Sequence, residues 1–313
     1  MKEKDSIHVF APATSANFIC GYDILGLALE EPGDEVKLTR VNTPGVVIKK
    51  ITGDEGLLPT DSKKNTVGAC IEMVLRHLNR EDLGIEIELN KKMPIGSGLG
   101  SSAASTIAGL FAINQLLGEP LTRQELLPFA LKGEELACGY GHADNVAPSL
   151  LGGITLIKSY HPLEVINLPT PKELCCSIIF PHVEVPTRAA RQILRTQIEL
   201  KNAVHQWGNI AGLISGLFLE DYGLISRSLE DKLIEPIRSI LIPEFDQMKE
   251  IAKELGALGF GISGSGPSVV AFTKGLDKAK EITEALQLHL KHKQIGSNGY
   301  SSRINTHGAI VIK

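Results

Sequence analysis

An α+β protein in two halves is what this sequence predicts, on three patterns. Residues 1–160 mix short strands with helices and hold most of the polar signatures. Gly152-Gly153 then opens a strand over 154–157, and a loop with Pro and His leads to a fresh apolar strand near Leu174. From there helices separate short strands, which places helices on one face of a mainly antiparallel sheet.

The elements follow from local chemistry. Ile7 to Ala11 is strand-like. Ile85, Ile87 and Leu89 alternate with Glu86 and Glu88, the period-two pattern of a half-buried strand. Residues 103–117 are apolar and free of proline, so a helix follows. Thr122 and Glu125 have the spacing of a capping box and start another helix, with Glu134 at its end. The second half reads as strand 174–180, helices 187–219, 221–233 and 243–256, strands 258–262 and 268–273, helix 276–292, and strands 300–304 and 308–312.

At 313 residues the chain has room for two domains of ordinary size. A formal net charge of −4 without a basic tract argues against nucleic acid or an anionic membrane as partner. No apolar run reaches the about 18 residues of a transmembrane helix. The charged start, Met1 to Ser6, lacks a signal-peptide core, so the expected compartment is the cytoplasm. The cysteines, Cys20, Cys70, Cys138, Cys175 and Cys176, form no C-x-x-C pair and read mostly as buried reduced thiols. Cys20 stands apart because it lies in a glycine turn.

The run Pro94-Ile95-Gly96-Ser97-Gly98-Leu99-Gly100-Ser101-Ser102-Ala103-Ala104 is the most informative stretch. Strand, glycine-rich turn and helix start make an anion site, because the unpaired N–H groups of the first helical turn face the ligand. The natural ligand is a phosphate chain. No lysine follows the glycines as a P-loop requires. A GxGxxA match at Gly98, Gly100 and Ala103 lacks the parallel strand of a dinucleotide fold, since the capping box starts a helix instead.

Four further groups carry chemistry. Asn17 and Asp23 sit among glycines and small residues after the first strand, where ordinary turn chemistry also explains them. Glu134 is a carboxylate suited to Mg²⁺ bridging nucleotide phosphates, while Glu135 reads as solvated. His142, Asp144 and Asn145 lie in a loop suited to a polar substrate, with a hydrogen-bonded histidine and a helix cap as the plainer readings. In Pro186-Thr187-Arg188-Ala189-Ala190-Arg191, Thr187 reads as a cap and Arg191 shares its helix face. Arg191 and Arg238 are candidate clamps for a carboxylate; Arg188 and Arg195 read as surface charges. The glycines between Gly259 and Ser268 exceed what a hairpin needs and suit close approach to the phosphate loop.

Together these blocks resemble the GHMP small-molecule kinases, in the expected order from Pro12 to Ser268, and within them the branch that phosphorylates L-homoserine. Pro12-Ala13-Thr14-Ser15-Ala16-Asn17, Asp23 to Ala28, His142 to Asn145 and Pro186 to Arg191 carry the resemblance to that branch; the Glu-His-x-Asp of a galactokinase is missing. The resemblance implies a ribosomal-protein-like N-terminal domain with a left-handed βαβ unit over 1–166, a ferredoxin-like C-terminal domain over 167–313, and a homodimer. It implies ATP-dependent phosphorylation of the homoserine side-chain hydroxyl in threonine biosynthesis. The 94–104 run would bind ATP, Ser102 and Glu134 would hold Mg²⁺, and Asn65 would lie near adenine. Asn17, Asp23, His142, Asp144, Asn145, Thr187, Arg191 and Arg238 would line the homoserine pocket. The arginines fit the carboxylate, and Asp23 and Asp144 the ammonium. Asn145 stands where some members carry an aspartate base; the implied role is to orient the hydroxyl, with Asp23 as the backup base and Glu134 as metal carboxylate. One departure is plain: Ile19-Cys20 replaces the Gly-Pro that usually opens Gly-Pro-Gly-Phe-Asp, and Tyr22 replaces its Phe.

Overall fold

Two long strands, β1 (Ser6–Ala16) and β2 (Leu25–Val41), pair antiparallel with a register break between Pro12 and Thr14. The computed structural model describes residues 3–185 and 187–312, with all of their side chains except those of 137, 138 and 187–189. β3 (Gly45–Thr52), helix α1 (Thr66–His77) and β4 (Gly84–Asn90) form a parallel crossover unit, and β4 pairs back onto β2. β2 changes partner along its length: Glu35 to Val41 meet β4, and Leu25 to Leu27 meet β5 (Ile154–Tyr160), which pairs with β6 (Leu163–Leu168).

Helices α2 (Ser101–Leu116), α3 (Arg123–Cys138) and α4 (Ala143–Leu151) complete the first half. α2 and α4 lie on β1 and β2, and α1 and α3 pack on α2. Every residue of α2 except Ser102 is buried, as a helix apolar all round requires. Thr122 and Glu125 form the expected capping box at the start of α3.

The second sheet contains β7 (Leu174–Pro181), β8 (Gly259–Ile262), β9 (Val269–Lys274) and β10 (Ser297–Arg303), in the order β10-β7-β9-β8 with antiparallel pairs throughout. Between β7 and β8 run α5 (Thr187–Gln192), α6 (Leu200–Leu219), α7 (Tyr222–Ser228), α8 (Glu235–Arg238) and α9 (Phe245–Glu254); α10 (Leu276–His292) joins β9 to β10. This is the βαββαβ plan of a ferredoxin-like unit. Ile179, Val269 and Ala271 face Met248 and Leu286, whereas Cys176, Ile178, Val270 and Phe272 join the main core with Phe18 and Leu213. Both faces of β7 are therefore covered, which explains its unbroken apolar run. The short β11 (Ile310–Val311) returns to the first sheet beside β1. Among the described residues, no helix is long and apolar enough to cross a membrane.

Two expectations need correction. Residues 187–219 are not one helix: the chain leaves helix between α5 and α6, where Ile193 and Ile198 are 41% and 53% exposed and supply no buried stripe to hold the turns. The helix expected over 221–233 stops at Ser228 because Asp231 accepts from the backbone N–H groups of Leu233, Ile234 and Glu235, and so starts α8.

The returning C-terminal segment is tied down by one side chain. Arg123 donates to the carbonyls of Leu150, His307 (2.9 Å) and Ala309 (2.8 Å), and lies over the Phe111 ring. Arg123→Met should leave these acceptors unmatched and cost about 2 kcal/mol. Thermal melts should show the loss, and limited proteolysis should cut first after Ile304.

Candidate active site

The phosphate loop is built by its glycines. Gly96, Gly98 and Gly100 all have positive φ, and Gly100 ends the loop as the N-cap of α2 without any side-chain cap. The first N–H groups of α2 are thus left to a ligand, with the helix dipole behind them. A side chain at Gly100 is excluded by geometry: its Cβ would lie 2.1 Å from Thr14 Oγ1 and 2.9 Å from Asn145 Oδ1. Gly98 is held between the Ser263 and Gly266 carbonyls on the facing loop, and Ser263 Oγ donates to the Gly98 carbonyl at 3.0 Å. The glycines of the second half therefore do approach the phosphate loop.

A cavity of ≈ 490 Å³ runs along this loop. Leu58, Pro59, Asn65, Val67 and Ile95 give it a mostly apolar region, and Gly96, Ser97, Gly98, Gly100, Ser101, Ser102, Ala103 and Glu134 a polar one. Asn17, Asp23, His142, Asp144, Asn145, Arg191 and Arg238 line it too. Pro94, Leu99 and Ala104 do not; Leu99 and Ala104 are buried behind the loop, and the Leu99 carbonyl accepts from the Thr14 N–H. Asn65 reaches the cavity but its amide is committed, capping α1 through Val67 N–H and donating to the Pro59 carbonyl. Thr187 begins α5, and its side chain lies outside the described residues, as does Pro186.

The 17–23 loop is held under strain. Asn17, Phe18, Ile19 and Asp23 all have positive φ, which for Phe and Ile is a genuine outlier. Ile19 keeps this conformation at the position where a glycine is usual. Phe18 stacks on Phe272 at 4.4 Å, Asn17 Nδ2 donates to the Gly264 carbonyl, its Oδ1 accepts from Asp23 N–H, and Gln206 donates to the Cys20 carbonyl. Cys20 itself is inert: burial pushes its thiol up to about 12.

Charges in the cavity are unevenly matched. Asp23 pairs with Arg191 at 3.0 Å. Arg238 is 3% exposed, yet its hydrogen-bond partners among the described residues are neutral: the Ala190 and Gly264 carbonyls and the Tyr22 hydroxyl. Asp144 is fully buried, its Oδ1 has no hydrogen-bond partner among the described residues, and burial, then the charge of Asp23, push its carboxyl up to about 7. Glu134 Oε1 is also buried without a partner among the described residues. Burial works against a charged His142, but Glu134 at 3.7 Å and nearby Asp144 outweigh it and raise its pKa.

Sequence reasoning missed three participants. Lys91, buried on the strand side of the loop, donates to Asp34, to Ser101 (carbonyl and Oγ) and to Ser105 Oγ. A lysine after an amphipathic strand reads as a surface charge, and only the fold brings Asp34 to it. Thr14 donates to Asn145 Oδ1 at 2.8 Å, which turns the amide NH₂ away from Thr14. Tyr22 lies against both arginines.

The raised pKa of Asp144 sets a pH dependence with a definite sign. An acid that ionises at about 7 folded but at 3.8 in the reference state loses stability as pH rises between those values, and the full loss persists above them. Asp144→Asn cannot ionise. In ligand-free protein it should therefore melt higher than the parent at pH 8, by about 4 °C or more, and the gap should narrow towards pH 5.

Comparison with known proteins agrees with this arrangement. The model of the GHMP kinases N terminal domain matches residues 65–153, and that of the GHMP kinases C terminal domain matches 213–292. A homoserine kinase of Chloroherpeton thalassium is 50% identical over 287 residues, 89% of this chain and 90% of that protein. One of Chlorobium phaeovibrioides is 46% identical, covering 98% and 99%. The crystal structure of homoserine kinase from Cytophaga hutchinsonii superposes with a TM-score of 0.97 at 54% identity, over 100% of this chain and 99% of that one. The chain belongs to the GHMP kinase family, on its homoserine kinase branch.

Proposed function

We propose that this protein transfers the γ-phosphoryl group of ATP to the side-chain hydroxyl of L-homoserine, giving O-phospho-L-homoserine and ADP in L-threonine biosynthesis. One observation carries the choice of substrate: among the described residues the cavity holds a buried guanidinium, Arg238, whose hydrogen-bond partners are all neutral, and a buried carboxylate, Asp144, one of whose oxygens has no donor. A small zwitterion supplies both missing partners. Mevalonate, a small alcohol that another kinase of this family could take, brings a carboxylate but no ammonium for Asp144. A regulator that binds without turnover has no need of the buried Glu134 or of the serines at the start of α2.

The nucleoside would occupy the apolar region beside Asn65, with its phosphates on the 96–103 loop. Glu134 and Ser102 fit a Mg²⁺ ion, because Glu134 Oε1 is buried without a partner and faces the phosphate loop's cavity. Among the described residues no cluster of three or more His, Cys, Asp or Glu exists, so the remaining ligands would be phosphate oxygens and water. Bound there, the ion supplies charge neutralisation. Arg191 and Arg238 hold the carboxylate; Asp144 and Asp23 take the ammonium. Asn145 donates its amide to the reacting hydroxyl, in a rotamer set by Thr14.

No general base is assigned among the described residues. Asn145 takes no proton, Asp23 is tied to Arg191, Asp144 is given to the ammonium, and His142 faces Glu134. The hydroxyl proton is left to the phosphoryl oxygens, and catalysis rests on positioning and charge. The protein would work in the cytoplasm as a homodimer. Leu200, Val204, Trp207 and Phe218, at least 55% exposed along one stripe of α6, support the latter.

A coupled ADP-release assay with Mg-ATP and L-homoserine, mevalonate, galactose and L-serine tests the reading. Turnover should be confined to homoserine. Glu134→Ala should lower kcat by about 100-fold or more, and Arg238→Ala should raise KM for homoserine by about 100-fold. Turnover of another alcohol keeps the fold and discards this substrate. For assembly, Trp207→Glu should convert a dimer to a monomer in light scattering.

A further inference from the structure

The two arginines in the cavity are not independent, because one side chain touches both. The Tyr22 ring centroid lies 5.1 Å from Arg238 Cζ and 5.7 Å from Arg191 Cζ. Its hydroxyl accepts from Arg238 Nη2 at 3.3 Å. The flanking backbone is fixed: Gly21 N–H donates to the Asn17 carbonyl, Asp23 N–H to Asn17 Oδ1, and Tyr160 donates to the Asp23 carbonyl. Tyr22 therefore has little freedom to move away.

We propose that Tyr22 is a specificity-determining residue for the α-carboxylate: its hydroxyl holds the Arg238 guanidinium and donates its own proton to the incoming carboxylate, while its ring contacts both arginines. This rests on the reading of Arg238 as the carboxylate clamp. The argument is one of charge. Were Arg238 paired with a protein carboxylate, as Arg191 is with Asp23, it would offer the ligand's carboxylate less net charge. A phenol is a neutral acceptor, so it orients the guanidinium and leaves its charge available. It also keeps one O–H to donate, which a phenylalanine lacks. Burial, with the charge of Asp23 adding to it, raises the phenol's pKa and keeps that proton in place. The ring face offsets repulsion between guanidiniums that converge on one cavity. Arg191, whose Cζ lies 4.4 Å from the Tyr140 centroid and which pairs with Asp23, is held from its other side.

Tyr22→Phe keeps the ring and removes only the hydroxyl. KM for L-homoserine should rise about tenfold to 100-fold, with kcat and KM for Mg-ATP unchanged. As competitive inhibitors, L-2-aminobutyrate, which has the carboxylate but no hydroxyl, should weaken by the same factor. By contrast, 3-amino-1-propanol, which has the hydroxyl but no carboxylate, should bind as before. Equal weakening of both inhibitors, or of neither, overturns the proposal. Failure of the underlying reading looks different: Arg238→Ala would then leave KM for homoserine unchanged.

Discussion

The site depends on one steric constraint, the passage of the Gly98–Gly100 backbone between β1 and the Ser263–Gly266 loop. On one side Gly100 is pressed against the Thr14 and Asn145 side chains; on the other Gly98 meets two carbonyls. Ser263 ties the arrangement together, since its Oγ reaches both Ser15 Oγ and the Gly98 carbonyl. Three segments far apart in sequence meet where a Cβ would not fit. The nucleotide loop, the amide proposed to orient the acceptor, and the loop that completes the acceptor pocket are thus set by one contact. A small shift in any of them moves the others, which matters because phosphoryl transfer asks mainly for position.

Strain is stored next to that contact. Phe18 and Ile19 hold positive φ, a conformation costing roughly 1–3 kcal/mol for each such residue, and both are buried. The surroundings over-determine them: the Phe18–Phe272 stack crosses from the first half to the second sheet, and Gln206 of α6 grips the Cys20 carbonyl while its own Oε1 accepts from Lys232 N–H. Packing here replaces the backbone freedom that a glycine would bring at residue 19. The loop is consequently rigid without Gly-Pro, and the pose of Tyr22 and Asp23 follows from core contacts.

Much of this was legible in the residues. The 94–104 run announced a glycine turn into a helix N-terminus, and the capping box at Thr122 placed α3 correctly, because both are local backbone chemistry. The glycines near Ser263 signalled close approach, and the partner loop was the expected one. What stayed hidden was what only long-range pairing creates. Lys91 and Asp34 lie 57 positions apart and meet because β4 pairs with β2. Thr14 read as part of a turn after the first strand, whereas β1 runs on to Ala16 and its register break brings Thr14 to Asn145. The break between α5 and α6 was missed for a related reason: helix propensity is continuous there, but no neighbour buries Ile193 and Ile198.

The charges explain why the ligand-free protein tolerates an unfavourable cavity. A buried cation with neutral partners and a buried carboxylate with an idle oxygen each oppose folding. Pairing Arg238 with Asp144 directly would remove both penalties and close the pocket. The fold prevents this by giving Asp23 to Arg191 and by placing Tyr22 against Arg238 as a neutral partner. Two poles are thereby kept apart with their charges unspent. A ligand that carries a carboxylate and an ammonium on one carbon recovers in binding what the empty site gives up in stability, and an alcohol with only one of those charges recovers part of it. On the proposed reading, discrimination among small hydroxylated acceptors would follow from the pocket's own deficit.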